Sequence, residues 1–129
     1  MAAVKVTVVE DELPIQRMYK TKLELAGFTV SVAGNGYDGL RIIKQEMPDI
    51  VLLDLRMPGM PGDEMLARLR EKEWGANMRV IILTNVSRDE APPRLRYLGV
   101  SRYVVKAHYT PAQVVSLVHD VLGTPHSKR

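Results

Sequence analysis

Five short runs of β-branched and aliphatic residues alternate along this chain with stripes of apolar residues at helical spacing. No other feature narrows the fold as much. The runs are Val4 to Val9, Thr29 to Ala33, Ile50 to Leu53, Arg79 to Leu83 and Arg102 to Val105. Between them, Ile15, Met18, Tyr19, Leu23 and Ala26 make one helical stripe, and Tyr37, Leu40, Ile43 and Met47 a second. Met65, Leu66 and Leu69 mark a third helix running to about Trp74, Leu95, Tyr97 and Leu98 a fourth, and Val114, Leu117, Val118, Val121 and Leu122 a fifth. The punctuation agrees: Pro14 and Pro111 suit first helical turns, Thr110 is an N-cap, and Gly27, Pro48 and Gly123 are stops. Pro92-Pro93 forbids a regular helix through that point, so the fourth helix is expected to begin at the prolines or with an irregular first turn. Strict strand-helix alternation implies parallel strands, right-handed crossovers and helices on both faces, an α/β fold of three layers. At 129 residues the chain holds one core, expected as a single domain over residues 1–123 with a flexible tail over 124–129.

In such a sheet every strand's carboxyl end lies on one edge, which is where ligands bind. The third run ends on Asp54, and Met57-Pro58 and Pro61-Gly62 cannot continue a strand, so the chain turns where the carboxylate emerges. The first run delivers Glu10-Asp11-Glu12, the fourth Thr84-Asn85 and the fifth Lys106. Each alone has a structural explanation: Asp11 or Glu12 as a helix cap, Thr84 as a turn residue, Lys106 as a surface cation. Together they form a chemical set. Carboxylates without His or Cys suit a hard ion such as Mg²⁺, and a hydroxyl and an ammonium suit phosphoryl oxygens. Asp54 is then available to attack phosphorus and form an acyl phosphate. The absence of cysteine excludes disulfides and thiolate metal sites, no segment is long enough to span a membrane, and Lys5 and Thr7 interrupt any signal-peptide core. Lys and Arg are scattered along the chain, so the net charge of +3 is read as solvated surface.

With those residues in place, the chain resembles the receiver domain of two-component response regulators. The resemblance rests on Glu10-Asp11, the Ile50 to Asp54 strand followed by Met57-Pro58 and Gly62, Thr84, Tyr103 and Lys106, and it covers about Val4 to Leu122. The spacings match: Asp54 follows Asp11 by 43 residues, Thr84 follows Asp54 by 30, and Lys106 follows Thr84 by 22. It implies a flavodoxin-like (βα)5 sandwich with a five-stranded parallel sheet of order 2-1-3-4-5. It also implies that Asp54 accepts a phosphoryl group from a sensor histidine kinase or histidine phosphotransfer protein. Mg²⁺ would be held by Glu10, Asp11, Asp54 and the backbone carbonyl of Arg56, with Thr84 and Lys106 on the phosphoryl group. Thr84 and Tyr103 would then switch the surface of the fourth helix, fifth strand and fifth helix. Implied partners are a downstream effector protein or covalently linked effector domain, with a homodimer through that surface as a further option. The implied setting is cytoplasmic, away from membranes, without direct nucleic-acid binding. The module would catalyse only its own phosphorylation and dephosphorylation, whether stand-alone or excised from a longer regulator.

Two rivals stand beside this reading. A haloacid-dehalogenase-type phosphohydrolase also uses an aspartate nucleophile, Mg²⁺ and a lysine, but would need an acid where Arg56 stands. A degenerate receiver acting as a protein-binding platform would not need the complete acid, Thr and Lys set. Three positions depart from the receiver pattern: Asn85 in place of a small residue, Ala107 in place of proline, and Pro92-Pro93. Arg56 and Val86 offer neither acid nor amide to position water, so slow self-dephosphorylation is expected. His108 is read as a solvated loop residue, His119 and His126 have no metal-ligand spacing, and Trp74 is expected to be partly covered.

Overall fold

The computed structural model describes residues 3–124. Five parallel strands, β1 (Lys5–Val9), β2 (Thr29–Ala33), β3 (Ile50–Leu53), β4 (Arg79–Thr84) and β5 (Arg102–Val105), form one sheet in the order β2-β1-β3-β4-β5. Four α-helices accompany them: α1 (Leu13–Leu25), α2 (Gly36–Glu46), α3 (Gly62–Arg70) and α4 (Pro111–Leu122). The central strand β3 shows why three layers form. Its four residues are all buried, Val51 and Leu53 packing with Ile43, Met65, Leu66 and Leu69 of α2 and α3, while Ile50 and Leu52 pack with Tyr19, Leu23, Val114 and Val118 of α1 and α4. Period-2 side-chain alternation thus feeds two cores from one aliphatic run. Each such Leu or Ile contributes about 1.5–3 kcal/mol relative to leaving it in water.

The register brings Val9 level with Leu53, so Glu10 and Asp54 leave adjacent strands at the same height. The local signals act as expected at α4, where Thr110 and Gln113 form a capping box, Pro111 sits in the first turn and Gly123 closes the helix with φ +71°.

The expected fourth helix is absent. Two 3-10 turns, Arg88–Glu90 and Pro93–Tyr97, take its place. The cause is Pro92-Pro93, which removes two consecutive N–H donors and holds the preceding backbone out of the α region. Leu95 is buried and Leu98, three residues on, packs against the same cluster, but Tyr97, expected on the packing side, is 86% exposed because two residues from Leu95 it falls off their shared face. The expected fifth helix is therefore α4. The third also ends sooner than expected, at Arg70, with a 3-10 turn at Glu73–Gly75 leaving Trp74 half-buried.

At that end Arg70 donates from Nε to Leu98 O (2.7 Å), from Nη1 to Gly75 O (2.8 Å) and Met78 O (2.7 Å), and from Nη2 to Gly99 O (3.0 Å). One guanidinium satisfies carbonyls from both connections that flank β4. Met18, Tyr37 and Met47, expected in helical stripes, are exposed, Met18 the least of them, and Gln16 is buried instead. The Lys106–Ala107 peptide is trans. Of the expected tail, residues 125–129, with His126, lie outside the described residues. No helix among the described residues is long and apolar enough to cross a membrane.

Candidate phosphoryl and metal site

The carboxyl edge of the sheet carries Glu10 and Asp11 after β1, Asp54 after β3, Thr84 at the end of β4 and Lys106 after β5. Carboxylate oxygens of Glu10, Asp11 and Asp54 lie within 4.8 Å of one another. Lys106 Nζ donates to Asp54 Oδ2 at 2.8 Å and also to Glu10 Oε1. A cavity of about 190 Å³ opens beside them, lined by Asp11, Asp54, Arg56, Thr84, Asn85 and Lys106. Of the residues expected on this edge from the strand ends, Asp11, Asp54, Thr84 and Lys106 line the cavity, Glu10 stands beside it bonded to Lys106, and Tyr103 does not line it.

Glu10 and Asp54 are 3% and 7% exposed, and each is held by backbone as well as by Lys106. The Glu12 N–H donates to Glu10 Oε2 (3.1 Å) and the Arg56 N–H to Asp54 Oδ1 (3.3 Å). Burial raises the Glu10 carboxyl above its ordinary value, outweighing the lowering by Lys106. Burial alone would lower the Lys106 ammonium, but its bonds to Asp54 and Glu10 prevail and raise it. Three carboxylates face one ammonium, leaving a formal deficit of two positive charges. All the donors are hard oxygens, so the set fits Mg²⁺ by its chemistry.

The loop after Asp54 is shaped by Gly62. A Cβ there would collide with the Asp54 carbonyl oxygen and stand 2.9 Å from both the Asp54 carbonyl carbon and Leu55 Cα. Only glycine lets α3 begin this close, and its N–H donates to Leu55 O at 2.8 Å. Gln16 gives no comparable sequence signal. It lies off the apolar stripe, yet its buried Nε2 donates to Glu10 O (2.8 Å) and Ala33 O (3.3 Å), bracing the acidic loop.

Thr84, 1% exposed, accepts from the Val86 N–H (3.3 Å) while keeping its own hydroxyl proton to donate. Tyr103 donates from its hydroxyl to Val86 O (2.7 Å), and burial raises the phenol above its ordinary value. Thr84 and Tyr103 are therefore joined through the backbone of one buried residue, Val86, a link the sequence did not reveal. Arg88 lies 5.8 Å over the Tyr103 ring and donates to its carbonyl (3.2 Å). His108 is exposed.

Residues 6–119 match the family model described as response regulator receiver domain. Among curated relatives, the phosphate regulon transcriptional regulatory protein PhoB of Pseudomonas aeruginosa is 30% identical over 95% of this chain and 53% of its own length. An uncharacterized 14.6 kDa protein of Leptolyngbya boryana is 30% identical over 93% of this chain and 91% of its own length. The chain spans about half the length of the first of these relatives and of the others like it. Among solved structures, the chemotaxis protein CheY4 of Vibrio cholerae superposes with a TM-score of 0.86 at 25% identity, covering 93% of this chain and 99% of that one. The receiver domain of the Francisella response regulator 1452 gives 0.82 at 28% identity, covering 93% and 97%.

Proposed function

Since this chain belongs to the response regulator receiver domain family, a family of signalling domains, we propose that it is a phosphorylation-controlled receiver with Asp54 as the acceptor. One observation carries the reading: Asp54 shares a cavity with Thr84 and Lys106, and its carboxylate lies within 4.8 Å of those of Glu10 and Asp11. An Asp54 oxygen attacks the phosphorus of a phosphohistidine on a sensor kinase or phosphotransfer protein. The new O–P bond forms as the N–P bond breaks, and the departing imidazole takes up a proton. Lys106, already on Asp54, is placed to follow the charge onto the transferred oxygens, and the Thr84 hydroxyl can donate to one of them. Glu10, Asp11, Asp54 and the Arg56 carbonyl would hold Mg²⁺, which supplies charge neutralisation for the transferring group.

When Thr84 turns toward a phosphoryl group, the Val86 N–H loses its acceptor. The Val86 carbonyl that holds Tyr103 is then free to shift, reshaping the face of the 3-10 turns, β5 and α4. The domain spans residues 1–123, works in the cytoplasm, and acts on a downstream effector protein or a linked effector domain. A homodimer through that face is the alternative output.

Intact mass after treatment with acetyl phosphate and Mg²⁺ tests this. A single base-labile phosphoryl adduct on the parent and none on Asp54→Asn is expected. An adduct retained by Asp54→Asn refutes the assignment of the acceptor. No adduct on the parent, with Mg²⁺ still bound, leaves a platform that signals without phosphate.

A further inference from the structure

Asp11 is the least anchored of the three acids whose carboxylates converge at the carboxyl edge. Glu10 and Asp54 are each bonded to Lys106 and to a backbone N–H, whereas no hydrogen bond or ion pair reaches the Asp11 carboxylate among the described residues. Its aim is set by its backbone alone. That backbone begins at the Glu10–Asp11 peptide, a rigid plane with the Glu10 carbonyl at one end and the Asp11 N–H at the other. The N–H four residues on would bond this carbonyl in a regular helix, but residue 14 is proline and has none. The Gln16 side chain takes its place, Nε2 donating to Glu10 O at 2.8 Å as that carbonyl's only partner among the described residues. The same Nε2 reaches Ala33 O at 3.3 Å, which also accepts from the Glu10 N–H at 2.9 Å, so the plane is tied to the end of β2.

We infer, resting on the reading of this edge as a Mg²⁺ site, that Gln16 is a positioning residue: by holding the Glu10–Asp11 peptide plane it aims the Asp11 carboxylate at the cation shared with Glu10 and Asp54. Gln16 and Glu10 are both buried, so a carbonyl that loses the amide is left unpaired. It regains a partner only by turning toward solvent, and that turn carries Asp11 with it. The Glu10 carboxylate is held separately by Lys106 and the Glu12 N–H, so the loss falls on one ligand. The amide is also neutral. It fixes the acids without bringing a positive charge that would compete with the cation, as an arginine or lysine in its place would. A partner that orients a ligand in this way is worth about tenfold or more in metal affinity.

Mg²⁺ titrations of the full chain, followed by backbone amide shifts, test it. Gln16→Met keeps the length of the side chain and removes its N–H groups. It should weaken Mg²⁺ binding by about tenfold or more and move the Asp11 amide in the metal-free spectrum. Gln16→Asn, an amide too short to reach both carbonyls, should act in the same direction and carries the test should Gln16→Met fail to fold. Thr7→Val is the control. It removes another hydrogen bond on β1, between the Thr7 and Ser31 hydroxyls (2.7 Å), and should lower thermal stability while leaving Mg²⁺ affinity unchanged. Unchanged affinity in the Gln16 variants, or a weakening that Thr7→Val matches, overturns the inference and leaves the Mg²⁺ site standing. So does weakened affinity with the Asp11 amide unmoved. A parent that binds no Mg²⁺ overturns both.

Discussion

Replacing Gly62 by alanine adds one methyl group where the protein has no room. The new Cβ would lie 2.9 Å from the Asp54 carbonyl carbon and from Leu55 Cα, and nearer still to the Asp54 oxygen. All three are backbone atoms, so no rotamer change relieves the clash. Reaching ordinary carbon contact of 3.5 Å or more requires the start of α3 to retreat by roughly 1 Å. That retreat stretches the bond from the Gly62 N–H to Leu55 O, now 2.8 Å, in a buried place where losing it costs about 1–3 kcal/mol. Overpacking costs about 1–3 kcal/mol more. Against this, alanine gains at most about 1 kcal/mol over glycine in helix propensity. The net loss is therefore about 3 kcal/mol, or roughly 10 °C in Tm for a chain of this size. Urea unfolding followed by circular dichroism measures it. Gly34→Ala is the matched control: nothing lies within 4 Å of its Cβ and its φ is not left-handed, so a change within about 0.5 kcal/mol is expected. If Gly62→Ala unfolds at the same urea concentration as Gly34→Ala, the close approach does not govern this loop.

Arg70→Lys replaces a planar fork bonded to carbonyls on both sides of β4 with an ammonium that cannot reach them all. A loss of about 2–4 kcal/mol in the same urea assay is expected, and an unchanged midpoint would refute the bridging role. Lys106 is raised above its ordinary value of 10.5, so its stabilisation is complete below that pH and is lost as pH climbs through the raised value. The stability gap between the parent and Lys106→Met should therefore narrow on titration above 10.5; a gap constant with pH would refute the pairing. Arg56 and Val86 supply no group to orient a hydrolytic water, so an Asp54 phosphoryl adduct should be long-lived and Arg56→Asn should shorten its life. A half-life of seconds that Arg56→Asn leaves unchanged, read by phosphate release, would count against this.

The site was legible because parallel strands deliver their final residues to one edge, and Glu10, Asp11, Asp54, Thr84 and Lys106 each follow an unmistakable aliphatic run. Periodicity also identified the buried faces of α3 and α4. It failed where side-chain chemistry outruns hydropathy. Gln16 is buried because two backbone carbonyls need its amide, and Met18 and Tyr37 are apolar by type but stand at the rims of their helices. The prolines announced trouble in the fourth helix, yet they do not say that two 3-10 turns would take its place with Leu95 inward and Tyr97 outward. Gly62 was visible as a residue, but its reason is a distance between backbone atoms.

The bonds at Val86 leave almost no mechanical play between the inside of this chain and its outside. The side chain at the carboxyl edge of the sheet and the aromatic at the surface hang on the N–H and the C=O of the same residue, separated by a single Cα. No intervening residues exist in which small adjustments could accumulate and cancel. A displacement of residue 86 is therefore felt at both ends at once, so the inner hydroxyl and the outer ring are geared together with no slack between them.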